Sequence, residues 1–272
     1  PVFYFGLLYF EYYGGIKVSA SHNPKEYNGF KMVMAKAVPI SEDSGIMEIR
    51  DLCIKNKFSP ITKKGTVKKL NGVVEKMVEV EREDTNWKLI KPFKIVVDTS
   101  NGMGSVDIEA MFKDLPCKLI KLNFFPDGTF PVHAPDPLID ENLKQLKEEV
   151  IRQKADFGIA PDGDADRYFF VDEKGNTLRQ EILRGIMAQI SLKEHPGATV
   201  CYDIRPGRIT KDMIEEAGGK ASVTRVGHSL IKEQMIKENA VFGGESSGHY
   251  FYLFPFGIFE APVSLMMRFL IF

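Results

Sequence analysis

The chain has 272 residues, of which 44% are hydrophobic and 27% are charged, and its formal net charge is −1. This composition is ordinary for a globular protein of roughly two or three domains. The balanced charge gives no indication of binding to nucleic acid or to an anionic membrane surface. Its three cysteines, Cys53, Cys117 and Cys201, are far apart. They show neither metal-ligand spacing nor a disulfide framework, which is typical of the cytoplasm.

Both ends of the chain are apolar. The first 13 residues, PVFYFGLLYFEYY, lack the basic start of a signal peptide and predict a buried helix. Residues 250–272 are interrupted by prolines and charged side chains, which argue against a membrane span and favour a core helix. Because the chain starts at Pro1 and stops within an apolar pattern, we expect both ends to be truncated.

Between these ends, predicted strands and helices alternate. The predicted strands are residues 94–98, 118–122, 156–160, 167–171, 199–202, 222–226 and 240–242. The predicted helices are residues 106–113, 141–154, 210–217 and 230–237, with Asp140 as the N-cap of the second. This alternation predicts an α/β fold in consecutive units. Ligands of such sheets bind outside the carboxyl ends of the strands.

The first unusual loop contains SASHNP, residues 19–24. Ser21 lies where an apolar run ends, because Asn23-Pro24 is a turn signal. A serine at a strand end is most often a turn residue, and a nucleophile is the alternative. Since neighbouring side chains on an extended chain point to opposite faces, His22 is disfavoured as a base for Ser21. A phosphorylated serine would instead need exposure, hydrogen-bond donors and a nearby cation.

The second loop is PDGDADR, residues 161–167. Asp162, Asp164 and Asp166 alternate, so that three carboxylates can converge on one hard cation such as Mg²⁺. A solvated acidic loop is one alternative. A calcium loop ending at Glu173 is another, although Arg167 stands where that loop needs glycine and the flanking segments are strand-like. A phosphatase with an aspartate nucleophile is a third, although such enzymes usually have Thr or Val in place of Asp166. Arg167 itself suits a phosphate or a carboxylate.

Two further loops suit a sugar phosphate. GGESSGH, residues 243–249, offers glycines that allow close approach of a ligand, and Glu245 and its serines can bond sugar hydroxyls. An ordinary turn is equally compatible with this composition. RVGHS, residues 225–229, lies at a strand-to-helix junction, where Ser229 is a candidate cap and free backbone N–H groups favour phosphate. A structural role for His228 is the alternative to a role in binding. Arg205 and Arg208, in the loop YDIRPGR, supply positive charge that would suit a phosphate.

Taken in order, these four loops resemble those of the α-D-phosphohexomutase family, the phosphomannomutase/phosphoglucomutase group. SASHNP resembles its phosphoserine loop, DGDADR its Mg²⁺ loop (usually DGDGDR) and GGESSGH its sugar-recognition loop, while RVGHS is close to another signature. The resemblance implies similar α/β domains with mixed sheets flanked by helices around a central cleft. Residues 1–90 would be the end of domain 1, residues 91–178 domain 2 and residues 179–272 a truncated domain 3. The start of domain 1 and all of domain 4 would be missing.

The resemblance also implies an activity. Family members interconvert hexose 1-phosphate and hexose 6-phosphate, here of mannose or glucose, through a phosphoserine and a bound 1,6-bisphosphate. Mg²⁺ would be the cofactor, and glucose 1,6-bisphosphate or its mannose equivalent the activator. The expected partners are cytoplasmic hexose phosphates, with no nucleic acid and no membrane. A phosphoglucosamine mutase and a non-catalytic relative that binds sugar phosphate remain alternatives.

Site residues follow from the same resemblance, position by position. The implied catalytic residues are Ser21, His22, Lys31, Arg167 and His228. The implied metal ligands are Ser21, Asp162, Asp164 and Asp166. The implied substrate-binding residues are Arg205, Gly227, Glu245, Ser247 and His249. The chain departs from the family pattern at Ala165, which replaces a glycine and is acceptable there if φ is negative, and after His249, where an Asp pair seen in many members is absent.

Overall fold

The computed structural model describes residues 1–205 and 207–272, with the side chain of Asp43 also left undescribed. The described helices are α1 (Val2–Tyr9), α2 (Ile46–Ile54), α3 (Val73–Glu83), α4 (Gly104–Phe112), α5 (Lys144–Gln153), α6 (Gln180–Glu194), α7 (Arg208–Glu216), α8 (His228–Glu238) and α9 (Pro262–Ile271). The described strands are β1 (Gly14–Val18), β2 (Phe30–Met34), β3 (Lys94–Asp98), β4 (Lys118–Leu122), β5 (Phe157–Pro161), β6 (Tyr168–Asp172), β7 (Thr199–Asp203), β8 (Lys220–Thr224), β9 (Phe242–Gly244), β10 (Tyr250–Phe254) and β11 (Gly257–Glu260). The predicted α/β class is confirmed.

The N-terminal unit consists of a buried helix and a two-stranded sheet. Tyr4, Phe5, Leu7 and Leu8 of α1 are buried in the main core, which confirms the predicted N-terminal helix. Strands β1 and β2 pair antiparallel. The loop that contains Ser21 connects these two strands, so its position is fixed at both ends by the sheet.

The second sheet has the strand order β4-β3-β5-β6. Its first three strands are parallel, and β6 runs antiparallel to β5. Ile95, Val96 and Val97 of β3 are fully buried, as expected for a strand covered on both faces. Because β5 and β6 form a hairpin, the acidic residues between them are confined to one short loop. This explains how three aspartates come to face one point.

The third sheet has the order β11-β10-β9-β7-β8. Its parallel strands are β9, β7 and β8, and β10 and β11 complete it with antiparallel pairing. The prediction of one core helix over residues 250–272 is therefore wrong in its first half. Pro255 and Gly257 mark the turn of a hairpin, and the buried helix is confined to α9.

Two local predictions also need correction. Asp140 is not the N-cap of α5, because a 3₁₀ turn, Asp140–Leu143, precedes that helix. The Asp140 carboxylate instead accepts a hydrogen bond from Thr177 Oγ1 at 3.1 Å. Ser229 does not cap α8, which begins at His228 with Gly227 as N-cap and no side-chain cap. None of the described helices has the length and apolar character needed to cross a membrane.

A buried carboxyl joins the segment between the first two sheets to the C-terminal helix. Glu81 of α3 is fully buried, and its Oε2 accepts a hydrogen bond from the Ser264 backbone N–H of α9 at 2.8 Å. Burial raises the pKa of Glu81 to about 8. The protonated form is therefore favoured in the folded chain, and ionisation at alkaline pH works against folding.

Replacing Glu81 by glutamine is expected to remove this pH dependence. In the wild type, the stability due to Glu81 is full below the pKa of an unfolded glutamate and is lost as pH rises towards 8. Between pH 6 and pH 8 the variant should gain on the order of 2 kcal/mol relative to the wild type. Urea denaturation of both proteins at the two pH values measures this difference. An identical pH profile for the two proteins would show that Glu81 is ionised in the folded chain.

Candidate active site

All four unusual loops meet at one cleft of about 650 Å³. Residues from each of the three sheet units line it, among them Ser21 from the first, Arg167 from the second, and Arg205, His228 and Glu245 from the third. The structure therefore brings together the side chains that the sequence predicts to act together. Ser21 also faces a neighbouring cavity of about 530 Å³.

Ser21 contacts the acidic loop directly. Its Oγ lies 3.1 Å from Asp162 Oδ2 and 3.1 Å from Asp164 Oδ1. Its backbone N–H donates to Ser19 Oγ at 2.9 Å, and its φ is 55°. This left-handed conformation is uncommon for serine, and such conformations cluster at functional sites. The contact also needs Gly163, where a Cβ would lie 2.4 Å from the Ser21 carbonyl oxygen.

The three aspartates can offer one oxygen each to a common point, since those oxygens lie within 4.8 Å of one another. Asp162 is fully buried and is held by Arg167, whose Nε and Nη2 donate to Asp162 Oδ2 at 2.9 and 2.7 Å. Burial, assisted by Asp166, raises the pKa of Asp162 to about 6. Of the two predicted partners of Arg167, phosphate and carboxylate, the structure shows the carboxylate.

Two lysines neutralise the other two aspartates. Lys31 Nζ lies 2.6 Å from Asp166 Oδ2, and Lys17 Nζ lies 2.8 Å from Asp164 Oδ2. Burial works to raise the pKa of Asp164, but Lys17 and Lys31 outweigh it and hold that pKa well below its usual range. Lys17 was not predicted from the sequence, nor was Ser19, which donates to Asp164 at 2.6 Å. Both alternate with Ser21, and this period of two was the available signal.

A buried carboxylate connects the two predicted histidines. Glu260 Oε1 lies 2.9 Å from His228 Nε2 and 2.6 Å from His249 Nδ1. Burial opposes protonation of His249, but Asp166 and Glu260 outweigh it and raise its pKa to about 9. Glu260 is one of the charged side chains that interrupt the apolar residues 250–272, and no role in the site was predicted for it. A lone acid in an apolar segment was the signal for its role here.

The predicted sugar-binding residues form a second group across the cleft. Glu245 is buried, and its Oε1 accepts a hydrogen bond from the Gly227 backbone N–H at 3.0 Å. Ser247 Oγ donates to Glu245 Oε2 at 3.4 Å. Arg205 is exposed, and its Nη2 lies 3.5 Å from Asp203 Oδ2. These side chains combine a carboxylate, a hydroxyl and an exposed cation, which suits a ligand with both hydroxyl and phosphate groups.

The ring of His22 pairs with Asp136 and not with Ser21, in agreement with the prediction that His22 is disfavoured as a base for Ser21. Its Nδ1 lies 2.8 Å from Asp136 Oδ2, in the loop that precedes α5. The same loop reaches the acidic loop, because the Gly163 backbone N–H donates to the Pro135 carbonyl at 3.2 Å. His22 and Asp136 therefore tie the serine loop to the unit that carries the aspartates.

Comparison with known families assigns the chain. Models of domains I, II and III of the phosphoglucomutase/phosphomannomutase family, each described as an alpha/beta/alpha domain, match residues 1–59, 71–175 and 181–257. The chain belongs to the phosphoglucomutase/phosphomannomutase family. The resemblance drawn from the four loops is thereby confirmed.

Relatives within this family cover nearly the whole chain. The phosphomannomutase of Escherichia coli strain K12 is 40% identical over 256 residues, which are 92% of this chain and 56% of that protein. The chain thus spans just over half the length of this relative. A crystal structure of a family protein from Burkholderia thailandensis is 32% identical with a TM-score of 0.85, covering 95% of this chain and 55% of that one. Aspergillus fumigatus N-acetylphosphoglucosamine mutase, solved with glucose 1,6-bisphosphate, shares the fold (TM-score 0.61, 16% identity, 98% of this chain, 69% of that one).

One departure from the family pattern has a structural cost. The condition under which Ala165 would be acceptable, a negative φ, is not met, because its φ is 57° and it is fully buried. A side chain in this conformation costs about 1–2 kcal/mol, which glycine avoids at an entropic cost of about 0.5–1 kcal/mol. Restoring the family glycine should therefore be tolerated.

We expect Ala165→Gly to keep stability within about 0.5 kcal/mol of the wild type, or to raise it. Ala165→Val should lose about 2 kcal/mol or more, since a β-branched residue suits neither the positive φ nor the buried space. Chemical denaturation of the two variants beside the wild type measures both effects. Equal losses in both variants would mean that the loop does not need this conformation.

Proposed function

We propose that the protein to which this chain belongs interconverts hexose 1-phosphates and hexose 6-phosphates, with mannose or glucose as the sugar. The observation that carries the proposal is the contact of Ser21 Oγ with Asp162 and Asp164 at 3.1 Å each. A serine hydroxyl placed beside converging carboxylates is suited to carry a phosphoryl group next to a divalent cation. We also propose residues 1–90, 91–178 and 179–272 as parts of three successive domains around the cleft.

The acidic loop fits Mg²⁺ in the chemistry of its donors. Asp162, Asp164 and Asp166 supply hard carboxylate oxygens within reach of one ion, and Ser21 Oγ lies beside them. When bound, the ion would offset negative charge at the serine oxygen. We propose these four residues as the metal site.

The remaining residues bind and orient the reacting groups. In the proposed transfer a sugar oxygen forms a bond to phosphorus while the bond from phosphorus to Ser21 Oγ breaks, and the sugar hydroxyl releases its proton. Such transfers depend mainly on positioning and on stabilising charge. Lys31 lies beside the aspartates to stabilise the phosphoryl oxygens, and Arg167 and His22 hold Asp162 and the serine loop in place. His228 is the candidate to accept the proton of the sugar hydroxyl, and Arg205, which has no acceptor atom, is a candidate to contact the sugar.

Sugar recognition is assigned to the group across the cleft. Glu245, Ser247 and His249 would bond the sugar hydroxyls, with the Gly227 backbone fixing the Glu245 carboxylate. The relatives named phosphomannomutase support mannose, and the name of the phosphoglucomutase/phosphomannomutase family supports mannose or glucose as the sugar. A bound 1,6-bisphosphate would be the intermediate and, when added, the activator. Free cytoplasmic hexose phosphates would be the substrates, with no nucleic acid or membrane as partner.

Calorimetric titration tests this assignment. Mannose 6-phosphate and glucose 6-phosphate are expected to bind the chain more tightly than glucosamine 6-phosphate. Glu245→Gln should weaken the first two by about tenfold, because a charge-assisted hydrogen bond to a sugar hydroxyl is lost while the bond from Gly227 is kept. A preference for glucosamine 6-phosphate would support a phosphoglucosamine mutase. Binding that does not respond to the Glu245 substitution would contradict the assigned sugar site.

A further inference from the structure

Each aspartate of the acidic loop has a different cation as its nearest ion-pair partner. Arg167 pairs with Asp162, Lys31 with Asp166, and Lys17 with Asp164. Three negative charges therefore face three positive charges when no metal is bound. Two of these cations, Arg167 and Lys31, are among the site residues that the family resemblance implies, and Lys17 is additional.

Lys17 occupies one oxygen of the Asp164 carboxylate, which is a proposed ligand of the metal ion. Asp164 Oδ2 accepts hydrogen bonds from Lys17 Nζ at 2.8 Å and from Ser19 Oγ at 2.6 Å, while Oδ1 faces Ser21. The side chains of Lys17 and Asp164 are only 17% and 9% exposed, so solvent screens this pair weakly. A divalent cation and an ammonium group cannot share this small region without strong repulsion.

We propose that Lys17 is a positioning residue that substitutes for the metal ion in the metal-free protein. Its ammonium group keeps Asp164 compensated and in place, and it competes with the divalent cation for that carboxylate. This inference rests on the proposed function, because it takes the aspartates to be the metal site. The geometry identifies Lys17 as the group that sets how tightly the site holds its ion.

The charge balance links the metal to the phosphoryl group. A divalent cation added to the neutral set leaves two positive charges in excess. A phosphoryl group on Ser21 supplies roughly two negative charges at pH 7 and restores the balance. Lys17 and Ser21 contact the two oxygens of one carboxylate and line the same cavity. The ammonium displaced by the ion would therefore have an anion close by when Ser21 is phosphorylated.

Titration of Mn²⁺, followed by electron paramagnetic resonance, tests the proposal on the whole chain without phosphorylation or activity. Lys17→Met keeps most of the length of the side chain and removes its charge. We expect this variant to bind Mn²⁺ at least about fivefold more tightly than the wild type. Lys17→Arg should match the wild type. Lys25→Met is the control, because it removes a lysine that lines the same cavity. It should bind Mn²⁺ as tightly as the wild type, since the ion pairs of Asp164 are with Lys17 and Lys31.

Thermal unfolding gives a second measurement on the same proteins. Without metal, Lys17→Met should have a lower Tm than the wild type, because Asp164 loses its closest counter-charge, and Mg²⁺ should raise its Tm by more than it raises that of the wild type. Unchanged or weaker Mn²⁺ affinity in Lys17→Met would overturn the role of Lys17. If the wild type and an Asp164→Asn variant bound Mn²⁺ equally, the proposed metal site itself would be wrong. The two failures are therefore distinguishable.

Discussion

A chain in which Ser21 is replaced by alanine is expected to take up no phosphoryl group from glucose 1,6-bisphosphate. The hydroxyl is the only part of the side chain that can form the bond to phosphorus, so its loss should lower the rate by at least about 1000-fold. The fold should be retained, because Ser21 lies at the surface of the cleft and its Oγ contacts only the two aspartates among the described residues. Transfer of label from radioactive bisphosphate measures the effect.

Ser19→Ala is the matched control. It removes a serine two positions away that bonds both Asp164 and the Ser21 backbone, but it leaves the proposed nucleophile in place. Labelling should persist at a rate reduced by about tenfold, in line with the loss of one positioning hydrogen bond. Undiminished label in Ser21→Ala together with complete loss in Ser19→Ala would identify Ser19 as the carrier and reject the assignment of Ser21.

The largest effect on stability is expected from Arg167→Met. Arg167 is 3% exposed and its guanidinium holds the fully buried carboxylate of Asp162. Removing one partner of such a pair leaves an uncompensated charge in the interior, which costs about 3–5 kcal/mol. Urea denaturation at neutral pH should show this loss. Arg167→Lys should lose less, because it keeps the charge but not the two-pronged contact.

Two comparisons show whether the loss of stability comes from the pair of Arg167 with Asp162 or would follow the removal of any arginine. Arg152→Met removes an exposed arginine that pairs with Glu149 three residues earlier in its helix, and it should change stability by less than about 0.5 kcal/mol. The double variant Arg167→Met with Asp162→Asn should recover part of the loss, because the unpaired charge is removed. A loss below about 1 kcal/mol in Arg167→Met would show that Asp162 is neutral or solvated in the folded chain.

Much of the fold follows from local patterns in the sequence. The strand over residues 94–98 and the strand over 118–122 have the predicted bounds, and the apolar run of the first is typical of a buried parallel strand. The helix α6 and the hairpin of β10 and β11 were missed. In the hairpin, nearly every residue of β10 is buried, so the period of two that distinguishes a strand from a helix is absent.

The site was predicted less completely than the fold. Ser21, Asp164 and Glu245 were identified because each belongs to a contiguous motif with its own chemistry. Lys17 and Glu260 were missed because each reaches the site from a strand whose sequence reads as ordinary. Their roles depend on distant partners, Asp164 and His249, which the local signals near Lys17 and Glu260 do not identify. The sequence also left the sign of φ at Ala165 open, and the structure shows that it is positive.

The most direct test of the account is the intact mass of the chain after incubation with glucose 1,6-bisphosphate, with and without Mg²⁺. Peptide mapping would locate any added group, and circular dichroism would confirm that the chain is folded. We predict one phosphoryl group, on Ser21, that appears only with Mg²⁺. A folded chain that binds hexose phosphate but gains no phosphoryl group, or gains it at another residue, would contradict Ser21 as the carrier and favour a relative that only binds sugar phosphates.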